Sequence, residues 1–326
     1  MRVTPSCDSI NSFAIFVHDS MQANPAVTFN GTNYIVTWND RRFAINRIVA
    51  ARVTPSGIVL DTSNCIGAVG VDEQSSDIAY DGVRCFAVWG RYTAPYGVDG
   101  RFVNSQAMPV DTVIRIGNTA TYKYMNPKLA TSGSRYLIVW NDMNMVTFDY
   151  SVYGQIMSAQ GQLIGGPIVI AEEDTPEKTP HVMYDGYKFL VAWDDSGTIK
   201  GRFIDTLGQL MGSSFNISAT SSWTKYVPWI SASNINYLIA WEESRATKDI
   251  YANIDMVIGT NEFFDEKAPP SESKPEIYYS SLKDFTRDCV IYDVTGKIVN
   301  PRYAGPGIYF VKQEDEHSMR KIVLIK

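Results

Sequence analysis

The chain has 326 residues, of which 45% are hydrophobic and 12% aromatic, and its formal net charge is −6. This length and apolar content can fill one large core and one small one, which excludes an intrinsically disordered protein. The acidic balance argues against a nucleic-acid partner, because binding to a phosphate backbone requires clustered lysine and arginine.

One strand pattern occurs five times, and each copy ends in a tryptophan. These tryptophans are 48 to 53 residues apart: Trp38, Trp89, Trp140, Trp193 and Trp241. A repeat of this length is typical of a propeller or a solenoid. The strand is apolar at nearly every position instead of alternating, which indicates that both of its faces are covered, as they are when blades stack.

The residues around each tryptophan strand predict a blade of four strands. A first strand is expected near residues 25–29, 77–80, 127–130, 181–184 and 227–231. Turns of the kind that accept positive φ follow it: Asn30-Gly31, Asp81-Gly82, Ser132-Gly133, Asp185-Gly186 and Ser233-Asn234. A third strand is marked by a small residue: Ala51, Gly100, Gly154, Gly201 and Ala252. Residues 1–259 are therefore predicted to form an all-β, five-bladed β-propeller.

The last blade lacks an outer strand of its own. After residue 259 the sequence becomes polar, whereas residues 13–17 form an apolar stretch at the start of the chain. We expect this N-terminal strand to pair with the last blade and close the ring. The alternative is that it completes the blade of a neighbouring molecule.

The C-terminal residues form a second predicted unit. A polar linker at 260–273, with Pro269 and Pro270, precedes short apolar strands, and residues 274–326 are predicted to form a small immunoglobulin-like antiparallel β-sandwich. Residues 291–299, 306–311 and 320–326 resemble the C-terminal sorting domain of proteins exported by type IX secretion. The resemblance implies a secreted or cell-surface bacterial protein. A generic immunoglobulin-like module is the alternative.

Charged residues recur just after each tryptophan and form a candidate binding ring on one face of the propeller. Its members are Asp40, Arg91, Asp142, Asp194, Asp195, Glu242 and Glu243. We call this set the charged ring. It is a candidate site for sugar hydroxyls or a structural cation, although Asp and Glu in such loops also serve turns and solubility. Three loop tyrosines are candidate contacts for a glycan or a protein: Tyr92, Tyr96 and Tyr150.

No catalytic group, cofactor or metal site stands out from the sequence. Five-bladed glycosidases need two carboxylates on inner strands, and the first strands contain one, Asp77. His18, His181 and His317 share no ligand or triad spacing. Cys65 and Cys85 are the one pair that could form a disulfide.

These observations favour a non-catalytic, extracellular binding or assembly protein, such as an adhesin, a scaffold or a filament subunit. Its expected partner is another protein, a second copy of itself or a glycan. No apolar run approaches the roughly 18 residues that a membrane span needs. The alternatives are a carbohydrate-active enzyme of the five-bladed glycoside hydrolase type and a soluble carbohydrate-binding module.

Overall fold

The computed structural model describes most of the predicted propeller and short strands beyond it. The described residues are 2–3, 9–118, 126–143, 150–173, 179–219, 223–233, 236–245 and 248–257, together with 278–279, 289–293, 307–313 and 319–324. The chain separates into two compact units, Met1–Thr260 and Asn261–Lys326. The first unit is the five-bladed β-propeller that the tryptophan repeat predicts.

Each blade is an antiparallel meander in which consecutive strands pair. A small sheet of β1 (Arg2–Val3) and β2 (Ser9–Asn11) precedes the blades. Blade 1 contains β3 (Gln22–Phe29), β4 (Tyr34–Asp40), β5 (Arg47–Val53) and β6 (Asn64–Cys65), with a 3-10 helix at Arg41–Phe43. Blade 2 contains β7 (Glu73–Tyr80), β8 (Cys85–Arg91), β9 (Gly97–Val103) and β10 (Pro109–Asn118).

The remaining blades repeat this order. Blade 3 contains β11 (Lys128–Thr131), β12 (Arg135–Met143), β13 (Tyr150–Ser158) and β14 (Leu163–Glu173). Blade 4 contains β15 (His181–Tyr184), β16 (Phe189–Asp195), β17 (Thr198–Ile204) and β18 (Leu210–Asn216). Blade 5 contains β19 (Thr224–Ala232), β20 (Asn236–Ser244) and β21 (Lys248–Val257).

The tryptophan strand of a blade packs against both of its neighbours. In β16, Phe189, Val191 and Trp193 lie in the apolar cluster shared with blade 3. Leu190 and Ala192 point the other way, into the cluster shared with blade 5. Alternate residues thus fill two different interfaces, which explains why the whole strand is apolar.

The small residue of the third strand faces the residue just before the tryptophan. Gly100 pairs with Val88, and a Cβ atom placed on Gly100 would lie 2.6 Å from the ring of Phe86. In blades 2 to 5 the predicted small residue pairs with the residue just before the tryptophan. In blade 1 it is shifted by one residue, because Ala50 rather than Ala51 pairs with Thr37.

The turns between first and second strands use side chains to fix the backbone. The Oδ1 atom of Asp81 accepts hydrogen bonds from the N–H groups of Val83 and Arg84, both at 2.8 Å. Gly82 has a φ of 99°, in the region that favours glycine. Blades 1 and 4 repeat this geometry at Asn30 and Asp185.

The N-terminal segment is not where the sequence placed it. Phe13, Ile15 and Phe16 pack on the face of blade 1 that carries Trp38, and the described strands of blade 5 are the three from β19 to β21. The apolar residues of segment 13–17 therefore cover a face of blade 1 instead of adding a strand to blade 5. Several apolar residues of blades 1 and 5 remain exposed: Val27, Phe29, Leu238, Ile250 and Ile254.

Cys65 and Cys85 do not form the bridge considered from the sequence. Both are free thiols. Cys85 is buried, and burial raises its pKa to about 12, as expected for an inert core thiol.

The described strands of the second unit form one sheet. They are β22 (Tyr278–Tyr279), β23 (Cys289–Asp293), β24 (Gly307–Gln313) and β25 (Met319–Leu324), in the order β22-β25-β24-β23. β22 runs parallel to β25, and the other pairs are antiparallel. This mixed sheet does not support the predicted antiparallel immunoglobulin-like sandwich. The predicted linker at 260–273 lies outside the described residues.

Candidate functional site

Most members of the charged ring form contacts inside their own blades. Asp40 pairs with Arg42 at 2.9 Å, Asp195 with Lys200 at 2.5 Å, and Glu243 with Arg245 at 2.9 Å. These three carboxylates are buried. They fix the loop that follows the tryptophan strand, and they do not meet at a common centre in the described structure.

The other members of the charged ring are also engaged. Asp194 accepts a hydrogen bond from the N–H of Thr179 at 2.7 Å, and Glu242 pairs with Lys248 at 3.4 Å. Asp142 is half-buried and also has a partner. Arg91 pairs with Asp99 at 3.4 Å. These contacts favour the structural interpretation of the charged ring.

The tyrosines predicted to make contacts are largely covered. Tyr150 is buried, with 8% of its surface exposed, and Tyr92 and Tyr96 are half-buried. The guanidinium of Arg115 donates to the carbonyl oxygen of Tyr96 at 3.3 Å and to the carboxylate of Asp99 at 2.6 Å. The loop with Tyr92 and Tyr96 is thus held against its own blade.

A different set of residues converges on the propeller channel. In every blade, one inner-strand residue pairs with the residue just before the tryptophan. These five residues are Ala26, Asp77, Lys128, His181 and Trp229. We call the last four, which carry polar or aromatic side chains, the channel cluster.

A backbone bulge precedes this position in three blades. In blades 1, 2 and 5, two residues of the inner strand lie opposite one tryptophan of the second strand. The first residue of each pair has positive φ: Asn24, Ser75 and Val227. Such bulges are common beside functional sites, because they bend the strand and redirect the next side chain.

Contacts between blades assemble the channel cluster. Asp77 accepts a hydrogen bond from the N–H of Leu129 at 3.0 Å. His181 lies 4.6 Å from Trp229 between ring centroids, and its Nδ1 atom accepts from the N–H of Ile230 at 3.4 Å. The Nζ atom of Lys128 lies 5.0 Å from the centroid of Trp229. Blades 3 and 5 are not neighbours, so this last contact crosses the channel.

The environment of the channel cluster shifts two pKa values. Burial raises the pKa of Asp77, although the charge of Lys128 and the N–H groups of Leu129 and Ile78 oppose that rise. Burial, together with the charge of Lys128, lowers the pKa of His181 to about 3. At neutral pH His181 is therefore an uncharged ring, and Asp77 holds a proton more readily than an exposed carboxyl group.

A sequence pattern marks the inner-strand position from which the channel cluster is built. A proline stands directly before Ala26, Lys128, His181 and Trp229, and Ser76 takes its place before Asp77. Trp229 is 55% exposed. His181, whose spacing in the sequence matched no ligand set or triad, belongs to the cluster.

Neither a metal-binding cluster nor a membrane-spanning helix occurs in the described part of the chain. It contains no group of three or more His, Cys, Asp or Glu side chains placed to hold a metal ion. It also contains no helix with the length and hydropathy of a membrane span.

Comparison with solved structures finds propellers of similar fold at low sequence identity. An α-L-arabinofuranosidase from Fusarium graminearum in complex with an iminosugar inhibitor is 11% identical, with a TM-score of 0.51, covering 71% of this chain and 76% of that chain. An endo-arabinase from Bacteroides thetaiotaomicron is 12% identical, with a TM-score of 0.44, covering 72% of this chain and 94% of that chain. No family model and no curated protein matches the sequence.

This comparison corrects the function predicted from the sequence. The prediction of a non-catalytic adhesin, scaffold or filament subunit, and the prediction that the protein is not an enzyme, are contradicted, because the similar chain from Fusarium graminearum is an α-L-arabinofuranosidase. The alternative of a carbohydrate-active protein is the better supported one. At such low identity the similarity establishes the fold, and the chemistry depends on the residues of the site.

Proposed function

We propose that the propeller is a carbohydrate-active protein that cleaves glycosidic bonds at the channel cluster. The observation that carries the proposal is that an exposed tryptophan, Trp229, and a carboxyl group of raised pKa, Asp77, occupy equivalent inner-strand positions and both interact with Lys128. An aromatic face and a proton donor are the two elements that a sugar site of this kind needs.

Trp229 provides the surface on which a sugar ring stacks. More than half of the side chain is exposed, while His181 packs against its ring and accepts a hydrogen bond from the neighbouring backbone at Ile230. Because His181 is neutral at working pH, it supports the indole without competing for a proton. His181 is therefore a positioning residue.

Asp77 is the proposed general acid. Its proton goes to the glycosidic oxygen as the bond between that oxygen and the anomeric carbon breaks. The oxygen of a water molecule bonds to the anomeric carbon, and a proton of that water passes to solvent. Glycosidases use two carboxylates. Among the described inner-strand residues the second carboxylate is Glu73, which is buried between blades 1 and 2.

Because Glu73 is buried, sugar binding and bond cleavage are tested separately.

The test uses the whole chain with aryl arabinofuranoside, xyloside and glucuronide substrates, and with oligosaccharide binding by calorimetry. We expect cleavage by the wild type, and loss of at least 100-fold in kcat for Asp77→Asn with binding retained. The control is Asp205→Asn, since Asp205 accepts N–H bonds from Leu207 and Gln209 in a turn outside the cluster.

Each outcome decides between the alternatives. Sugar binding by the wild type without cleavage would contradict the hydrolase proposal and indicate a carbohydrate-binding module. Neither binding nor cleavage would overturn both. Equal loss of activity in Asp77→Asn and Asp205→Asn would remove Asp77 from the role of proton donor.

We also propose that the second unit directs export, as an immunoglobulin-like sorting module of type IX secretion. The support is the sequence resemblance, together with the correspondence of its three motifs to β23, β24 and β25. A reporter protein fused to residues 261–326 should reach the surface of a bacterium that has this pathway. Retention of the fusion inside the cell, with a known cargo exported in parallel, would overturn the proposal.

A further inference from the structure

We propose that the channel cluster selects an acidic glycan, with Lys128 binding the carboxylate of a uronic acid residue. This inference rests on the proposed function, because it names the class of sugar taken by the same site. It concerns the chemistry of recognition, and it is independent of whether Asp77 or another group donates the proton.

The first step is the state of the Lys128 ammonium. The side chain is half-buried on the inner strand of blade 3. Within the described residues it forms no salt bridge, and the contact recorded for it is the approach to the face of Trp229. An ammonium that has lost part of its hydration and forms no salt bridge is stabilised by a bound anion.

The second step is the net charge around that ammonium. Two titratable side chains of other blades interact with it, Asp77 and His181. His181 is neutral, and burial favours the protonated form of Asp77. When Asp77 carries its proton, the cluster has a single positive charge, so the site attracts a negatively charged group.

The third step is the position of the Lys128 charge relative to Trp229, the proposed stacking surface for the sugar. The Nζ atom lies 5.0 Å from the centroid of Trp229, whose side chain is 55% exposed. A hexuronic acid carries its carboxylate at the edge of the sugar ring. A ring in contact with the exposed part of Trp229 therefore places an edge substituent within reach of Lys128. A lysine binds a carboxylate through a charge-assisted hydrogen bond.

The experiment measures binding of matched acidic and neutral sugars to the full chain. The probes are oligosaccharides of galacturonic acid and of glucuronic acid, each compared with its carboxyl-reduced counterpart of equal length. We expect the wild type to bind at least one acidic probe about tenfold more tightly than its reduced form. This preference should shrink as salt rises from 0.05 to 0.5 M, because salt screens the ion pair.

Three variants test the role of Lys128. Lys128→Met should bind acidic and reduced probes equally, and Lys128→Arg should keep the preference because it keeps the charge. The control is Lys188→Met, since the Nζ atom of Lys188 lies 4.5 Å from the ring of Phe203 in a similar contact outside the cluster. If Lys128→Met does not fold, Lys128→Arg and the salt dependence of the wild type provide the test.

The outcomes separate this inference from the proposed function. Equal binding of acidic and reduced probes by the wild type would overturn the acidic-glycan inference and leave the hydrolase proposal intact. Absence of binding to all of these probes would overturn the acidic-glycan inference, whereas the hydrolase proposal is decided separately by cleavage of the aryl glycosides. If the Lys128→Met variant still prefers the acidic probe, another group binds the carboxylate and the role assigned to Lys128 is overturned.

Discussion

Lys128 and Trp229 belong to blades 3 and 5, yet the Nζ atom of the one lies 5.0 Å from the ring centroid of the other. The intervening blade supplies His181, whose ring packs on the same tryptophan. Three inner strands therefore contribute to one small region of the channel. Such a meeting point depends on the curvature of the propeller, because no two of these residues are close in the sequence.

The stacking role of Trp229 can be separated from that of another exposed tryptophan. Trp229→Ala should weaken binding of a cognate oligosaccharide roughly tenfold, about 1.4 kcal/mol, because the sugar loses its aromatic surface. Trp223→Ala should change binding less than twofold, although Trp223 is 44% exposed. Calorimetric titration measures both, and equal losses would show that exposure alone, and not the channel position, determines binding.

The pH dependence of cleavage should follow the protonation of Asp77. A general acid works only in its protonated form, so kcat/KM should fall as the pH rises through the raised pKa of Asp77. The charge of Lys128 lowers that pKa, and Lys128→Met should therefore move the alkaline limb to higher pH. An alkaline limb that stays in place would mean that another group controls it.

Glu73 gives the stability of the propeller an unusual pH dependence. Its side chain is fully buried and accepts hydrogen bonds from the N–H of Ala68 at 2.8 Å and of Ile48 at 3.4 Å. Burial raises its pKa from 4.5 to about 7. Between these pH values the folded state binds more protons than the unfolded state, so stability falls as the pH rises.

The Glu73→Gln variant isolates that effect. The wild type should lose roughly 3 kcal/mol of unfolding free energy from this group between pH 4.5 and 7, and the variant should lack that component. Urea denaturation at several pH values gives the difference between the two proteins. Parallel curves for wild type and variant would show that Glu73 keeps an ordinary pKa.

The close packing at Gly100 predicts a large effect from a small change. Gly100→Ala should destabilise the propeller by about 1–3 kcal/mol, because the added Cβ would lie 2.6 Å from Phe86 and 2.9 Å from the carbonyl oxygen of Ala87. Gly166→Ala is the control, since no atom lies within 4 Å of its added Cβ. Thermal unfolding that ranks the two variants equally would contradict this account of the blade interface.

The repeated framework could be predicted from the sequence because the same physical demand recurs in every blade. Trp89 and its counterparts lie at the end of strands whose two faces are both buried. Because both faces are buried, nearly every residue of the strand must be apolar. Gly82 and its counterparts provide positive φ at the turns of blades 1 to 4. Both are local patterns that do not depend on how the blades are arranged.

The channel cluster could not be predicted in the same way, because its residue type differs in each blade. Asp77 and His181 look unrelated in the sequence, and only strand pairing reveals that they occupy equivalent positions. The charged ring recurs in the sequence, but its members have separate partners. Asp40 pairs with Arg42 in the following loop, whereas Asp194 accepts a hydrogen bond from the N–H of Thr179, which precedes the first strand of the blade.

The N-terminal segment shows a further limit. The apolar pattern of residues 13–17 suits an added strand, but it also suits a cover over an apolar face. Phe16 stacks on Trp38 at 5.9 Å between ring centroids, so tertiary packing decided between the two.

The bulge opposite Trp38, Trp89 and Trp241 has a consequence for how this architecture acquires new specificities. It places two inner-strand residues opposite one tryptophan and so redirects the side chain that follows, while the tryptophan strand remains packed. Substitution of that side chain changes the lining of the channel. A duplicated scaffold can in this way diversify its chemistry one blade at a time, with little penalty to folding.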